Sequence, residues 1–168
     1  MVNVVQQLDP AAAQFLSTAY PAAVKNGTNF PVFGLAFDAT TDESAFWLIR
    51  AVNYASGNLT LAIDWYADTA SSGNVVWEAQ LAAITPDSDS QDVETKSLAT
   101  LNFVSDTHLG TTGQRVHRAT ITVSNLDSLA AEDLLFIRIA RDANGTNGTD
   151  DLAGDAILVL ATVSYTST

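Results

Sequence analysis

Residues 58–84 read NLTLAIDWYADTASSGNVVWEAQLAAI, and this stretch decides the fold. Apolar side chains alternate with polar or small ones in two runs, 58–66 and 75–84, which are separated by a connector rich in Ser, Asp and Gly. Period-two alternation bounded by turn residues is typical of half-buried antiparallel strands. The pattern predicts a hairpin in which Trp65 faces Trp77 on the buried side. Asp64 would then face Glu78 on the outside.

Six further runs of strand character surround this stretch, at 31–37, 45–52, 97–104, 114–125, 134–141 and 156–165. Eight strands with no interleaved helical pattern predict an all-β sandwich or barrel. Because the connections are longer than those of a simple meander, we predict a single eight-stranded jelly-roll sandwich over residues 30–168. An immunoglobulin-like sandwich is the alternative, although its Cys–Trp–Cys spacing is absent.

The first 29 residues have a different pattern and predict an N-terminal arm, residues 1–29. Asp9-Pro10 followed by AAAQFLSTAY indicates a short helix with Asp9 as its N-cap and Pro10 at its first position. One side of that helix would be apolar, so the arm could contact a neighbouring chain. The alternative is that the segment packs on its own barrel. The predicted contact residues of the arm are Phe15, Leu16 and Tyr20.

Composition excludes several classes of partner. Nineteen acidic residues against 7 basic ones give a formal charge of −12, which repels phosphate backbones and argues against nucleic acid. No apolar run approaches the roughly 20 residues that span a bilayer, so no membrane association is expected. The start of the chain, MVNVVQQLDP, lacks the cationic and apolar regions of a signal peptide. With no cysteine, disulfides and thiolate metal sites are excluded.

Asp64 and Glu78 form the most catalytic-looking pair in the sequence. Two carboxylates across a hairpin could lie about 5 Å apart, as a retaining glycosidase requires. A small register shift would separate them, however, and exposed acidic residues are expected in a chain this negative. We therefore predict that the protein is not an enzyme.

The loop DANGTNGTDDLAGD (142–155) is rich in oxygen ligands of the kind that calcium accepts. The EF-hand pattern fails, because its sixth position is Asn147 and its twelfth is Ala153. Asn-Gly pairs and Asp are also ordinary turn formers. An ion pair of Arg138 or Arg141 with Asp142 or Asp155 at the base of the loop explains some of these charges equally well. We predict no cofactor and no metal; the calcium candidates are Asp142, Asn144, Asn147, Asp150, Asp151 and Asp155.

Histidines and aromatic residues offer little further chemistry. His108 and His117 lie nine residues apart with no third zinc ligand nearby, so His117 is predicted to be a histidine of the core or its rim. The tryptophans are predicted to pack in the core. Among the aromatic residues, Tyr54 and Tyr66 are the candidates for a sugar-stacking platform.

Two long stretches of the chain, 33–81 and 137–165, resemble small jelly-roll proteins encoded by tailed bacteriophages. The resemblance rests on Leu59-Thr60-Leu61, Asp64-Trp65-Tyr66, Gly73-Asn74-Val75-Val76-Trp77, Arg138, Arg141-Asp142 and Ala153-Gly154-Asp155-Ala156. It implies a capsid decoration (cement) protein on the exterior of the virion. Such a protein would bind the major capsid protein as a homotrimer and stabilise contacts between capsomers without any chemistry.

A second function is open at this point. The same fold serves carbohydrate-binding modules and the receptor-binding modules of tail fibres, which would use exposed aromatic residues and loop-borne calcium to hold glycans. Saturable binding to a polysaccharide would favour this alternative over the structural role.

Overall fold

The computed structural model describes residues 3–88 and 90–168, so Met1 and Val2 of the predicted arm and Asp89 lie outside the described residues. The described residues form ten strands and one short 3₁₀ helix, Pro10–Ala12. The strands are β1 (Asn3–Leu8), β2 (Ala22–Asn26), β3 (Val32–Phe37), β4 (Glu43–Arg50), β5 (Tyr54–Ala67), β6 (Gly73–Ile84), β7 (Asn102–His108), β8 (His117–Val123), β9 (Leu134–Arg141) and β10 (Ala156–Ser167).

The strands form two antiparallel sheets that pack face to face. One sheet has the order β2-β3-β10-β5-β8, with β1 paired to the second half of β10, and the other has the order β4-β9-β6-β7. Along β3 to β10 the chain crosses between the sheets at every connection except that from β6 to β7, as in a jelly roll, and the predicted all-β sandwich is confirmed. In the part of the chain that the structure describes, no helix is long and apolar enough to cross a membrane.

The predicted hairpin of residues 58–84 is wrong in its pairing, because β5 and β6 lie in different sheets. Trp65 and Trp77 do face each other, but they do so across the core, with ring centroids 6.0 Å apart. Asp64 and Glu78 consequently lie on opposite outer faces of the sandwich, where they pair with Arg118 and Arg138. Alternation specifies which face of a strand is buried and leaves its partner strand open.

Residues 3–29 of the predicted arm are not separate from the β domain. Strand β1 pairs with β10 and β2 pairs with β3, so the segment completes the six-stranded sheet, as in the alternative interpretation. Asp9 caps the predicted helix, accepting a hydrogen bond from the Ala11 amide at 2.8 Å, and Pro10 is its first residue. The helix ends after one turn at Ala12 because the backbone of Gln14 then pairs with Phe46 of edge strand β4.

Apolar side chains pack in two places. The main core lies between the sheets and includes Trp65, Trp77 and Phe37, all fully buried. A second, smaller cluster lies on the outer face of the six-stranded sheet, where Ala36, Tyr66 and Ile157 are buried beneath Val24, Val32 and Val159. An outer sheet face with its own apolar cluster offers a surface on which an apolar ligand face can rest.

Candidate functional site

A groove with a volume of about 400 Å³ lies over this second cluster. Its size falls within the usual range of small-molecule sites. Among the described residues that line it, none is an acid, a lysine, an arginine or a histidine, although the whole chain carries −12. The lining residues are Asn26, Gly27, Phe30, Val32, Tyr66, Gln114, Val116 and Val159.

Phe30 stands at the mouth of the groove and is 70% exposed. It belongs to the turn between β2 and β3, which closes through Gly27 at a φ of 98°. A Cβ atom at Gly27 would lie 2.0 Å from the carbonyl oxygen of Phe30, so this turn requires glycine for space as well as for its backbone angle. A tight turn therefore holds an aromatic ring in water, where ring burial by a ligand would be favourable.

Tyr66 forms the floor of the groove. Its side chain is only 4% exposed, and its hydroxyl accepts a hydrogen bond of 2.9 Å from the side-chain amide of Asn26. This contact fixes the Tyr66 ring and leaves the amide oxygen of Asn26 at the groove edge. The prediction that Tyr54 and Tyr66 are exposed stacking residues is wrong, since Tyr54 is also buried and burial raises its pKa.

The opposite wall comes from the segment that leads into β8. The amide N–H of Gln114 donates to the carbonyl of Ala67 at 3.2 Å, and its side chain donates to Asp68 at 3.2 Å. Val116 presents an apolar side chain that is 59% exposed. The residue pattern did not indicate this wall, because Gln114 and Val116 were predicted to belong to a strand, 114–125, that begins only at His117.

The groove is suited to a neutral ligand that has an apolar face and several hydroxyl groups. One exposed ring and a valine wall can cover the apolar face, and two side-chain amides, from Asn26 and Gln114, can hydrogen-bond at the edges. Few convergent polar groups in an otherwise apolar site are what orients a bound small molecule.

The predicted contact residues Phe15, Leu16 and Tyr20 are all exposed, beside edge strand β4. The rings of Phe15 and Tyr20 contact each other, with centroids 5.8 Å apart. Leu16 lines a second hollow of about 320 Å³ on the outer face of the four-stranded sheet. Phe46 and Phe136 also line this hollow, together with Lys96. A role of these residues in contacting a partner stays a prediction.

The calcium candidates of the loop 142–155 are used for hydrogen bonds within the chain. The buried carboxylate of Asp142 accepts the amides of Thr146 and Asn147, at 3.0 and 2.6 Å, and thereby closes the loop. Asn144 contacts Asp42, and Asp151 accepts the amide of Asn74. In the described ranges, no group of three or more acidic or histidine side chains is placed to hold a metal ion.

Asp150, one of the calcium candidates, forms an ion pair with Arg141. The two side chains are 1% and 0% exposed and form a two-fold hydrogen-bonded ion pair at 2.7 and 3.0 Å. Arg141 is the arginine predicted to pair at the loop base, but its partner is Asp150 and neither Asp142 nor Asp155. Near it, removal from water raises the pKa of Glu43 and of Asp155, and the charge of Asp38 adds to both shifts.

His108 and His117 lie together beneath Trp65, at the same end of the sandwich. Their ring centroids are 4.9 Å apart, and that of His117 lies 5.3 Å from Trp65. His108 is fully buried, and its Nδ1 lies 2.8 Å from the carbonyl oxygen of Ser71. Within the described structure, the Nε2 atoms of both rings are buried without a hydrogen-bond partner. Burial, and then the proximity of His108, lowers the pKa of His117.

Comparison with known proteins identifies relatives by structure alone. No protein-family model and no curated protein sequence matches the chain. An isomalto-dextranase of Arthrobacter globiformis T6, solved in complex with panose, is similar over 95% of this chain, with 16% identity and a TM-score of 0.57. The chain spans 23% of the length of that protein.

Two carbohydrate-binding modules are also similar, at lower scores. One is the CBM36-1 domain of a xylanase from the hindgut metagenome of Trinervitermes trinervoides, with 7% identity and a TM-score of 0.46 over 99% of this chain and 100% of its own. The other is a CBM36 in complex with calcium and xylotriose, with 13% identity and a TM-score of 0.43 over 93% and 97% of the two chains. Identities this low establish the shared β-sandwich fold only.

These comparisons contradict the prediction of a capsid decoration protein, because the similar structures are carbohydrate-binding modules and an enzyme complexed with a sugar. The motifs that suggested a phage protein have structural roles that any jelly roll could share: Trp65 and Trp77 fill the core, and Arg141 holds the loop 142–155. The virion location, the major capsid protein as partner and the homotrimer stay untested predictions without this support.

Proposed function

We propose that the protein is a non-catalytic carbohydrate-binding module whose groove on the six-stranded sheet holds a neutral glycan. The observation that carries this proposal is the combination of an exposed ring, Phe30, with an uncharged lining that offers two amides. The apolar C–H face of a sugar ring stacks on Phe30, while its hydroxyl groups reach the amides of Asn26 and Gln114. The similarity to a part of a sugar-complexed enzyme supports the proposal at the level of the fold.

Charge also supports a neutral ligand. The chain carries −12, so its field disfavours uronic acids and sulfated sugars, and no cation lines the groove to compensate. Binding through stacking and neutral hydrogen bonds depends little on salt, because no ion pair with the ligand has to be screened.

No chemistry is assigned to the module. The two carboxylates that suggested a glycosidase, Asp64 and Glu78, lie on opposite sheets, and each accepts hydrogen bonds from an arginine. Their placement rules out the spacing of about 5 Å that a retaining mechanism would need between them.

The test is calorimetric titration of the full chain with panose, xylotriose and soluble dextran and xylan. Phe30→Ala should weaken binding at least about tenfold, or about 1.4 kcal/mol, because it removes the stacking ring. Phe103→Ala is the matched control: Phe103 is also an exposed phenylalanine, at 49%, but lies on β7 of the other sheet. Its substitution should leave the affinity unchanged.

Both variants remove a ring that is largely in water, so the melting temperatures of both should remain near that of the unmodified chain. An equal loss of affinity in the two variants would contradict the groove. The absence of saturable binding to every member of the panel would contradict the proposed function itself.

A further inference from the structure

We propose that the His108–His117 pair makes the groove sensitive to pH, so that protonation loosens the segment 114–117 and weakens ligand binding in acid. This inference rests on the proposed function for its ligand, but the conformational step belongs to the protein alone. Its basis is the geometry of two adjacent rings, one fully and one partly buried, whose Nε2 atoms have no hydrogen-bond partner among the described residues.

The pair has room for one protonation state only. His108 Nδ1 lies 2.8 Å from the Ser71 carbonyl oxygen, which can only accept, and 3.3 Å from the amide nitrogen of Gly110, which can only donate. The shorter contact favours the hydrogen on Nδ1 and a bare Nε2. The buried Nε2 atoms of both rings have no partner among the described residues. Adding a proton to either would create a buried charge whose N–H group has no acceptor, which is costly.

The charged groups around the pair offset that cost only in part. From β7, the charge of Asp106 favours protonation of His117, but its Oδ2 already accepts the Trp65 Nε1–H at 2.8 Å. From the segment before β8, the charge of Arg115 opposes protonation of His117, as does His108. Strand β5 contributes Trp65 and β6 contributes Trp77, which carry no charge. The lowered pKa of His117 agrees with this arrangement.

His117 can escape by moving toward water, since it is the first residue of β8 and only partly buried. Val116, its neighbour in sequence, lines the groove, and Gln114 lines it two residues earlier. The anchor of this segment is modest: one backbone hydrogen bond from Gln114 to Ala67 at 3.2 Å and the side-chain contact with Asp68. An outward movement of a charged His117 therefore displaces one wall of the groove.

The experiment follows the full chain between about pH 7.5 and about pH 5.5, a range that brackets the ordinary pKa of histidine. EDTA is present throughout to exclude metal binding. Calorimetry measures the affinity for panose and xylotriose, and ¹H–¹⁵N NMR follows the backbone amides of Gln114, Val116 and His117 in the free protein. The unmodified chain should lose about fivefold or more in affinity on acidification, and these amides should shift or broaden together.

His117→Gln is the decisive variant, because glutamine is polar and planar but does not titrate. It should bind as the unmodified chain does at the higher pH and keep that affinity at the lower one. Should this variant fail to fold, the amide titration of the unmodified chain decides alone. An affinity that is equal at both ends of the range, with unmoved amides at 114–117, overturns the inference.

The two proposals can fail separately. If panose, xylotriose, dextran and xylan all fail to bind at any pH, the proposed function fails, and the amide shifts of the free protein test the coupling without a ligand. Shifts of these amides that change with the ionisation of His117 would then support the pH-sensitive wall. Amide shifts that do not change with pH would overturn the proposed pH sensitivity as well.

Discussion

Arg141 and the His108–His117 pair lie at the same end of the sandwich, but they differ in how fully their hydrogen-bonding groups are satisfied. Arg141, the last residue of β9, has all five of its N–H donors satisfied, by Asp150 and by the carbonyls of Phe37, Leu152 and Gly154. His108 and His117, at the end of β7 and the start of β8, each have a buried Nε2 atom that finds no hydrogen-bond partner among the described residues.

The difference follows from charge. A buried guanidinium is always ionised, so it persists only where every donor and the countercharge are provided. In a neutral imidazole, a buried nitrogen without a hydrogen bond costs about 1–3 kcal/mol. A buried imidazolium with an unpaired N–H group would cost more. The first arrangement fixes the loop 142–155 over the whole neutral pH range, and the second leaves the entry to β8 responsive to acid.

The largest effect is expected from removing Arg141. Arg141→Met leaves Asp150 as a buried charge without its partner, which should lower the free energy of unfolding by about 3–5 kcal/mol. Arg118→Met is the matched control, because Arg118 also grips an aspartate with two hydrogen bonds, at 2.6 and 2.8 Å, but its side chain is 64% exposed. Water screens that pair, so its loss should be far smaller.

Urea unfolding monitored by tryptophan fluorescence measures both variants, since Trp65 and Trp77 report on the core. Equal destabilisation by the two substitutions would show that burial and the satisfaction of donors at Arg141 contribute nothing beyond a surface ion pair. The contrast with the histidines would then lose its first half.

A smaller effect is expected from pH. Because the pKa of His117 is lowered in the folded state, the unfolded chain binds the proton more tightly. This contribution to stability is fully present above the ordinary histidine pKa of about 6.5 and is lost as the pH falls toward the folded pKa. The slope is at most about 1.4 kcal/mol per pH unit for one group.

His117→Gln should flatten this part of the curve, as measured by urea unfolding at a series of pH values above the range in which carboxylates titrate. The raised pKa values of Glu43 and Asp155 act with the opposite sign at lower pH, since their protonation favours the folded state. A variant whose stability falls as steeply as that of the unmodified chain would show that His117 is not the titrating group.

Alternation along single strands was enough to predict most of the fold. Strand β9 was predicted with its observed bounds, 134–141, and the burial of Trp65 and Trp77 followed from the same pattern. Alternation did not predict which sheet each strand joins, because β5 and β6 show the same alternation whether they pair with each other or lie in different sheets. The short strand β1 was missed, although its sequence NVVQQL places Val4, Gln6 and Leu8 on one side.

The candidate site was much less predictable. Phe30 lies in a polar link between strands. It is placed at the mouth of the groove by the turn at Gly27 and by strands far away in sequence. Tyr66 was predicted to be an exposed stacking residue, but its side chain is buried and forms the floor of the groove. Of the calcium candidates, Asp142 accepts backbone amides with both carboxylate oxygens, which no residue pattern displays.

The most direct test of the glycan groove is a ¹H–¹⁵N NMR titration of the full chain with the sugar of the panel that binds most tightly at about pH 7.5, well above the histidine pKa. If the groove binds the sugar, we expect the shifted amides to cluster at 26–32, 66, 114–116 and 159, on the outer face of the six-stranded sheet. Shifts that cluster instead around Phe46 and Phe136, on the four-stranded sheet, would contradict it.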